Sequence, residues 1–408
     1  MKNFIVISTI AGVALSLGAY FLPGRVHAAG EAKVDGTTIN GFRIVIPESS
    51  IPRPGRTHTN YFLAIPDVPN TTGGPPPGTE TPGSLACVYN LVTGPKGCPI
   101  ATSTTLPTGG WGAIAIVDAG HYRTAKADLH AFSSYFGIPD ADFHVVYADG
   151  KKPPVYPGWD VEEALDIEWA HAMAPKAKLY LVESKIFNTD PTWQAVKVAG
   201  QLVAQNGGGV VSMSWGDPEV HSDLSHDSLF TQPGVVYFAS SGDSGIGVSS
   251  YPTASPNVVS VGGTVFSRDS KGDFISETYA SGGGGGDLSP IEPRPSYQDI
   301  IKNIVGTKRG YPDVASDFCC APIYITSQGG WTGVGGTSWS SPTFAGIVNA
   351  AGGKMKSSHD ELTAIYKEYA NKKEYKAAFH DITSGDSHCK VGWDLCAGVG
   401  SPRTYKGK

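Results

Sequence analysis

Six short runs rich in β-branched and other apolar residues recur after residue 110: AIAIVD at 113–118, FHVVYA at 143–148, KLYLVE at 178–183, GVVSMS at 209–214, VVYFAS at 235–240 and VVSVGG at 258–263. Helix-like stretches at 125–135, 160–172 and 193–205 lie between them. Strands that are apolar along their whole length must be covered on both faces. The alternation therefore predicts an α/β fold with a mostly parallel central sheet and helices on both faces. Ligands of such sheets bind beyond the carboxyl ends of the strands. With 52 Gly and 30 Pro among 408 residues and only 17% charged residues, a coiled coil, a helical repeat and a charged disordered chain are excluded.

The chain opens with Lys2 and an apolar run from Phe4 to Leu22, ending in Val26-His27-Ala28 before Ala29. This pattern predicts a secretory signal over 1–28, and hence a secreted, extracellular or periplasmic protein. The run is also long enough to serve as an uncleaved anchor. After signal removal no stretch reaches about 18 unbroken apolar residues, so no membrane partner is expected. Loss of Lys2 and Arg25 takes 31 basic and 37 acidic residues to 29 and 37, a balance of -8. With no basic run, nucleic acid is not an expected partner. Residues 29–82 read as an N-terminal segment ending in a Pro/Gly-rich linker, and 83–408 as one large domain, expected to act as a monomer. An even set of six cysteines in an exported chain suggests disulfides, with Cys87–Cys98 and Cys389–Cys396 as the local pairs. A direct bridge between the remaining Cys319 and Cys320 would be strained. No cysteine has zinc-site spacing.

Three motifs carry chemistry. In GGTSWSSPTFAG, Ser338 follows a Gly-Gly-Thr turn that feeds a helix, leaving N–H groups free to hold an oxyanion; a helix-capping serine would look the same. A serine nucleophile needs a base, and none of the eleven histidines sits in a His-Gly-Thr-His setting, although Asp118 in VDAG has a faint likeness to the subtilisin aspartate. In WDVEEALDIEWAHA, Glu162 and Asp166 lie one helical turn apart with no Lys or Arg nearby. Such a pair tends to keep one proton between its members, as a base working on the acid side of neutrality requires; acids on a solvated first turn are the plainer reading. In VVYFASSGDSG, Asp243 stands at a strand's carboxyl end, where a protonated carboxyl could donate to an oxyanion or the residue could simply make a turn.

In chain order the acidic helix, SMSWG, SSGDSG, YPTASPNVVSVGGT, SGGGGGD, RGYPDVASD, GGTSWSSP, FHDIT and VGWDLCAGVGSP follow one another, and with them the chain from about residue 83 to 402 resembles the sedolisin family of serine-carboxyl peptidases, whose fold is subtilisin-like. The resemblance implies a secreted acid endopeptidase acting on proteins or peptides through an acyl-enzyme. Ser338 would be the nucleophile, Glu162 the general base and acid, Asp166 its partner and Asp243 the oxyanion-hole carboxyl. Ser214, Trp215 and Gly216 would form an extended substrate-binding edge, unless Trp215 is simply a core aromatic. The resemblance further implies one Ca²⁺ held by the Asp381 and Asp394 carboxylates and the carbonyls of Ile382, Lys390 and Gly392. Family members commonly carry a long folded prosegment, whereas 29–82 is short, which leaves the control of latency open. Two other readings stand beside the peptidase: a non-catalytic peptide-binding module on the same scaffold, and a subtilisin-type enzyme using Asp118 and a histidine.

Overall fold

The computed structural model describes residues 33–68, 70, 73–185, 190–353 and 356–408. The expected signal over 1–28 lies outside the described residues. Twelve strands form one sheet: β1 Lys33–Ile39, β2 Phe42–Ile46, β3 Phe62–Pro66, β4 Ala113–Ala119, β5 Phe143–Tyr147, β6 Lys178–Ser184, β7 Gly209–Met213, β8 Val235–Ser240, β9 Val259–Arg268, β10 Phe274–Tyr279, β11 Val314–Ile325 and β12 Gly330–Gly335. Their order is β1-β2-β3-β12-β11-β9-β8-β7-β4-β6-β5, with β10 attached to β9. The strands from β11 to β5 run parallel, as expected of continuous apolar runs joined by helices. From β12 outward the pairing is antiparallel and draws in β1, β2 and β3, so the N-terminal segment is part of the main sheet.

Four helices cover the sheet: α1 Ala125–Phe136, α2 Trp159–Met173, α3 Asp190–Gln205 and α4 Thr337–Ala351. Alternate residues of β4 point to opposite faces, as the pleat dictates. Ile114 and Ile116 join α1, α2 and α4 in one core, while Ala113, Ala115, Val117 and Ala119 join Ala195, Val196, Ala199 and Val203 of α3 in the other. At one edge of the sheet β5 leaves Val145 exposed, and the attached β10 leaves Ile275 exposed.

The chain leaves β4 toward β5 and β6 on one side and later places β7 on the other. The crevice beyond the carboxyl ends of β4 and β7 is therefore a topological switch point. Helices α2 and α4 pack closely over it, because a side chain on Gly346 would collide with Met173 and the Ala170 carbonyl. Trp169 and Trp339 meet edge to face at 4.9 Å in the same seam.

Disulfides join Cys87 to Cys98 and Cys389 to Cys396, the two local pairs expected, and Cys319 to Cys320. Among the described residues no helix is long and apolar enough to cross a membrane.

Candidate active site

Ser338 sits in the first turn of α4, after Gly336, whose φ of 121° suits only glycine. Its hydroxyl donates to the Ser214 carbonyl at 3.0 Å and accepts from the Asn60 N–H at 3.1 Å. Its own N–H donates to the Asn60 carbonyl at 3.0 Å. Pro342, four residues on, has no N–H to give the Ser338 carbonyl. The Ser214 hydroxyl donates to that carbonyl at 3.3 Å instead, tying the helix start to the end of β7.

The neighbouring helix N–H, from Thr337, donates to Asp243 Oδ1 at 2.8 Å, and the Thr337 hydroxyl donates to the same oxygen at 2.7 Å. Burial pushes the Asp243 carboxyl up to about 8, so the group is neutral at acidic pH. With Oδ1 accepting twice, the proton belongs on Oδ2, which has no hydrogen-bond partner. Asp243 Oδ2 and the Asn60 carbonyl oxygen both lie within 2.5 Å of where a side chain on Gly336 would begin. A carbonyl oxygen is thus held beside one backbone N–H and one protonatable carboxyl, the elements of an oxyanion hole.

Helix α2 begins after Gly158, which adopts a left-handed φ of 85° and whose lack of a side chain leaves room for Ser49 and the Tyr61 hydroxyl. Glu162, Glu163, Asp166 and Glu168 are all fully buried, which removes the solvated-face reading of this acidic run. Glu168 caps the Tyr324 N–H at 3.0 Å, whereas the oxygens of Glu162, Glu163 and Asp166 complete no hydrogen bond. Burial raises the Glu162 carboxyl well above its ordinary range. The charges of Asp166, Asp118 and Asp243 push the same way, and the nearby Ser338 hydroxyl offsets this in part. Asp166 is likewise raised, by burial and then by Asp118, with Ser214 and Glu162 opposing. Asp118, at the end of β4, is pushed up to about 8 by burial and by Glu183. Three carboxyls thus crowd one dry seam, and Glu162 is the member next to Ser338.

Among the described residues no histidine hydrogen-bonds to Ser338. His121 is bound to Glu183, the acid beside Asp118, at 2.9 Å. The subtilisin-type reading through Asp118 therefore lacks its histidine.

The strand Trp215–Pro218 continues from β7. On one side it pairs with Ser250–Tyr251 and on the other with His58–Thr59, antiparallel, His58 opposite Gly216 and Thr59 opposite Trp215. The Trp215 ring is a core aromatic, its indole N–H donating to the Val117 carbonyl at 2.7 Å. Sequence reasoning missed Asn60, which lies against Ser214, Ser240, Ser338 and Asp243. Nothing in THTNYF marks it, because its position follows from β3 pairing with β12, some 270 residues away.

In the tail, Asp381 accepts the Gly392 N–H at 2.9 Å, and Asp394 accepts those of Cys396 and Ala397 at 2.9 and 3.1 Å. Burial pushes Asp394 up to about 6, with the Asp381 charge adding to the shift, and no basic side chain pairs with either among the described residues. Cys389 and Cys396 stand beside Asp394 but are joined as a disulfide and offer no thiolate.

No family model matches the chain. Kumamolisin from Bacillus sp. (strain MN-32) is 31% identical over 329 residues, 71% of this chain and 58% of that protein. Sedolisin from Pseudomonas sp. (strain 101) is 24% identical over 351 residues, covering 74% and 58% respectively. A solved Pseudomonas sedolisin, a serine-carboxyl proteinase complexed with two molecules of pseudo-iodotyrostatin, superposes with a TM-score of 0.64 at 22% identity, over 80% of this chain and 95% of that one. The chain belongs to the sedolisin family. Its fold is subtilisin-like, a psychrophilic protease called S41 giving a TM-score of 0.52 at 18% identity. The chain spans 58% of the length of both kumamolisin and sedolisin.

The buried acids of this sedolisin-family fold set its stability against pH. Asp118 and Asp243 bind protons in the fold up to about pH 8 but in the unfolded chain only up to their ordinary values near 4. Their stabilising contribution is full below about pH 4 and declines as pH rises toward 8. Urea unfolding followed from pH 4 to 8 should show falling stability, less steep in Asp118→Asn; a flat or rising curve would contradict the burial of neutral carboxyls.

Proposed function

We propose that the protein is a secreted acid endopeptidase that cuts proteins or peptides through an acyl-enzyme on Ser338. The observation that carries this reading is the convergence of the Ser338 N–H and the Asp243 carboxyl on one carbonyl oxygen, with Glu162 as the group beside the Ser338 hydroxyl. Glu162, as carboxylate, takes the Ser338 proton as the oxygen attacks a substrate carbonyl. Asp166 and Asp118 hold the proton balance of the seam so that Glu162 can then return that proton to the leaving amine. The oxyanion lies between the Ser338 N–H and neutral Asp243. Substrate adds as a strand along Ser214-Trp215-Gly216, so affinity comes from backbone pairing.

Activity needs one ionised carboxyl in the Glu162–Asp166 pair and a proton on Asp243, and so falls as pH rises through about 8. Ser338→Ala and Glu162→Gln should each lower kcat on a casein-derived peptide by at least roughly 100-fold. Asp243→Asn keeps a donor that does not titrate: kcat should drop while the alkaline limb of the pH profile disappears. Hydrolysis that peaks at pH 8, vanishes at pH 4 and survives Glu162→Gln would end the proposal.

We further propose one Ca²⁺ at Asp381 and Asp394 with the carbonyls of Ile382, Lys390 and Gly392. Two neighbouring carboxylates without a basic partner, among oxygen donors, suit a hard cation, which would fix the loop. If calcium is present at about 100 times its Kd, chelation should cost about 3 kcal/mol of stability. An EDTA-induced fall in Tm that calcium restores in the wild type but not in Asp394→Asn is the expected result; no shift with EDTA would remove calcium from the account.

A further inference from the structure

The buried acids continue away from Ser338 in a row. Along β4 and β6 the pleat puts Asp118 on the face of Ile114 and Ile116, and Glu183 on that of Leu179 and Leu181, the face that α2 covers. The parallel pairing of the two strands sets Asp118 opposite Glu183, and Glu163 on α2 acts on both. These neighbours are held differently. Asp118 and Glu163 complete no hydrogen bond. Glu183 Oε1 accepts the Tyr122 N–H at 3.2 Å, and His121 Nδ1 lies 2.9 Å from Oε2 and 3.2 Å from Oε1. A ring N–H that faces both oxygens donates to a carboxylate, whereas a ring lone pair would take a proton from one oxygen only. Lys152 adds positive charge, and the Tyr147 ring meets the imidazole edge to face at 5.9 Å. The Glu183 side chain is sealed while that of His121 is 13% exposed, so the row reaches solvent at the imidazole.

We propose that His121 and Glu183 are positioning residues: a negative charge fixed at the far end of the row keeps the proton on Asp118 and leaves the single charge of the Glu162–Asp166 pair on Glu162, beside Ser338. This rests on the peptidase reading above. Repulsion between like charges weakens with distance, so two charges shared among Glu162, Asp166, Asp118 and Glu183 settle at the ends. Asp118 and Glu163 then stay neutral, as unpartnered groups in a dry seam must. Burial raises Asp118 to about 8, and the Glu183 charge adds to the shift. Burial also raises Glu183, but His121, Tyr122 and Lys152 draw it back, which gives the same order. If Glu183 takes a proton, Asp118 can hold the charge in place of Glu162. The imidazole acts only through Glu183 and Asp118 and is not the base of a subtilisin-type triad.

Glu183→Gln removes the charge, and His121→Phe removes the donor that fixes it. On a casein-derived peptide each should lower kcat about tenfold, the equivalent of one unit of proton affinity at Asp118, with KM unchanged. The acid limb of the kcat profile should move to lower pH, because a neighbouring negative charge no longer opposes ionisation of the pair. His121→Asn, which keeps a donor at the Nδ1 position, should retain the wild-type profile. With Asp118→Asn in place, Glu183→Gln should lower kcat no further, since no carboxyl is left to draw the charge away. Losses that add in the double variant, or an acid limb that Glu183→Gln leaves in place, overturn the proposal. Infrared difference titration of the full chain reads the order of charges without catalysis. Wild type should keep, up to about pH 8, a protonated-carboxyl C=O band that Asp118→Asn lacks, and in Glu183→Gln that band should vanish at lower pH. A band that titrates at the same pH in Glu183→Gln, in protein that cuts the peptide, overturns the charge order and leaves the peptidase standing. The expected bands in a wild type that cuts nothing uphold the charge order and overturn the peptidase, and with it the positioning role.

Discussion

A dry seam where α2 and α4 meet the end of β4 holds Glu162, Asp166 and Asp118 with no cationic partner among the described residues, and the rest of the site depends on this crowding. A buried charge costs several kcal/mol unless paired, so these groups stay neutral or share one charge. The helices are drawn together by what surrounds the acids: Trp169 against Trp339, and Gly346 against Met173. Fold and chemistry are one arrangement here, because the packing that excludes water from the carboxyls also places Glu162 beside Ser338.

Asp243 answers the same constraint differently. It is less deeply buried, and both Thr337 donors hold one of its oxygens, which orients the carboxyl and leaves the other oxygen facing the Asn60 carbonyl. In the proposed reaction the two acids have opposite tasks, one to lose a proton and one to keep it, which requires environments that separate them. Glu162 is sealed off with carboxyls for neighbours, whereas Asp243 is partly exposed and has fixed donors, so partners and depth of burial together separate the two.

Much of the scaffold was legible. The apolar runs correspond to β4 through β9 within a residue at most ends, apart from the five-residue extension of β9. Full burial on both faces requires continuous apolar sequence, which is easy to see. The site residues were legible as residue types and through family resemblance, but the burial of the acids was not. A helix buried on every side has no amphipathic stripe, and WDVEEALDIEWAHA reads equally well as a solvated run. The role of residues 33–66 was hidden for another reason. Their strands join the sheet through the antiparallel pairing of Leu63 with Val334 and Phe62 with Gly335, a contact across most of the chain that no local pattern encodes.

That distant pairing also governs how the cleft is covered. The strand Trp215–Pro218 has one side closed by Ser250–Tyr251 and would otherwise present unpaired N–H and C=O groups at the other, an edge that attracts any extended peptide. The chain satisfies this edge with His58–Thr59 because β3, anchored against β12, begins only two residues later. Under the proposed peptidase reading, a substrate competes for the same backbone groups. The position of β3 in the main sheet therefore sets how readily the edge opens, linking a structural pairing far from Ser338 to access at the site.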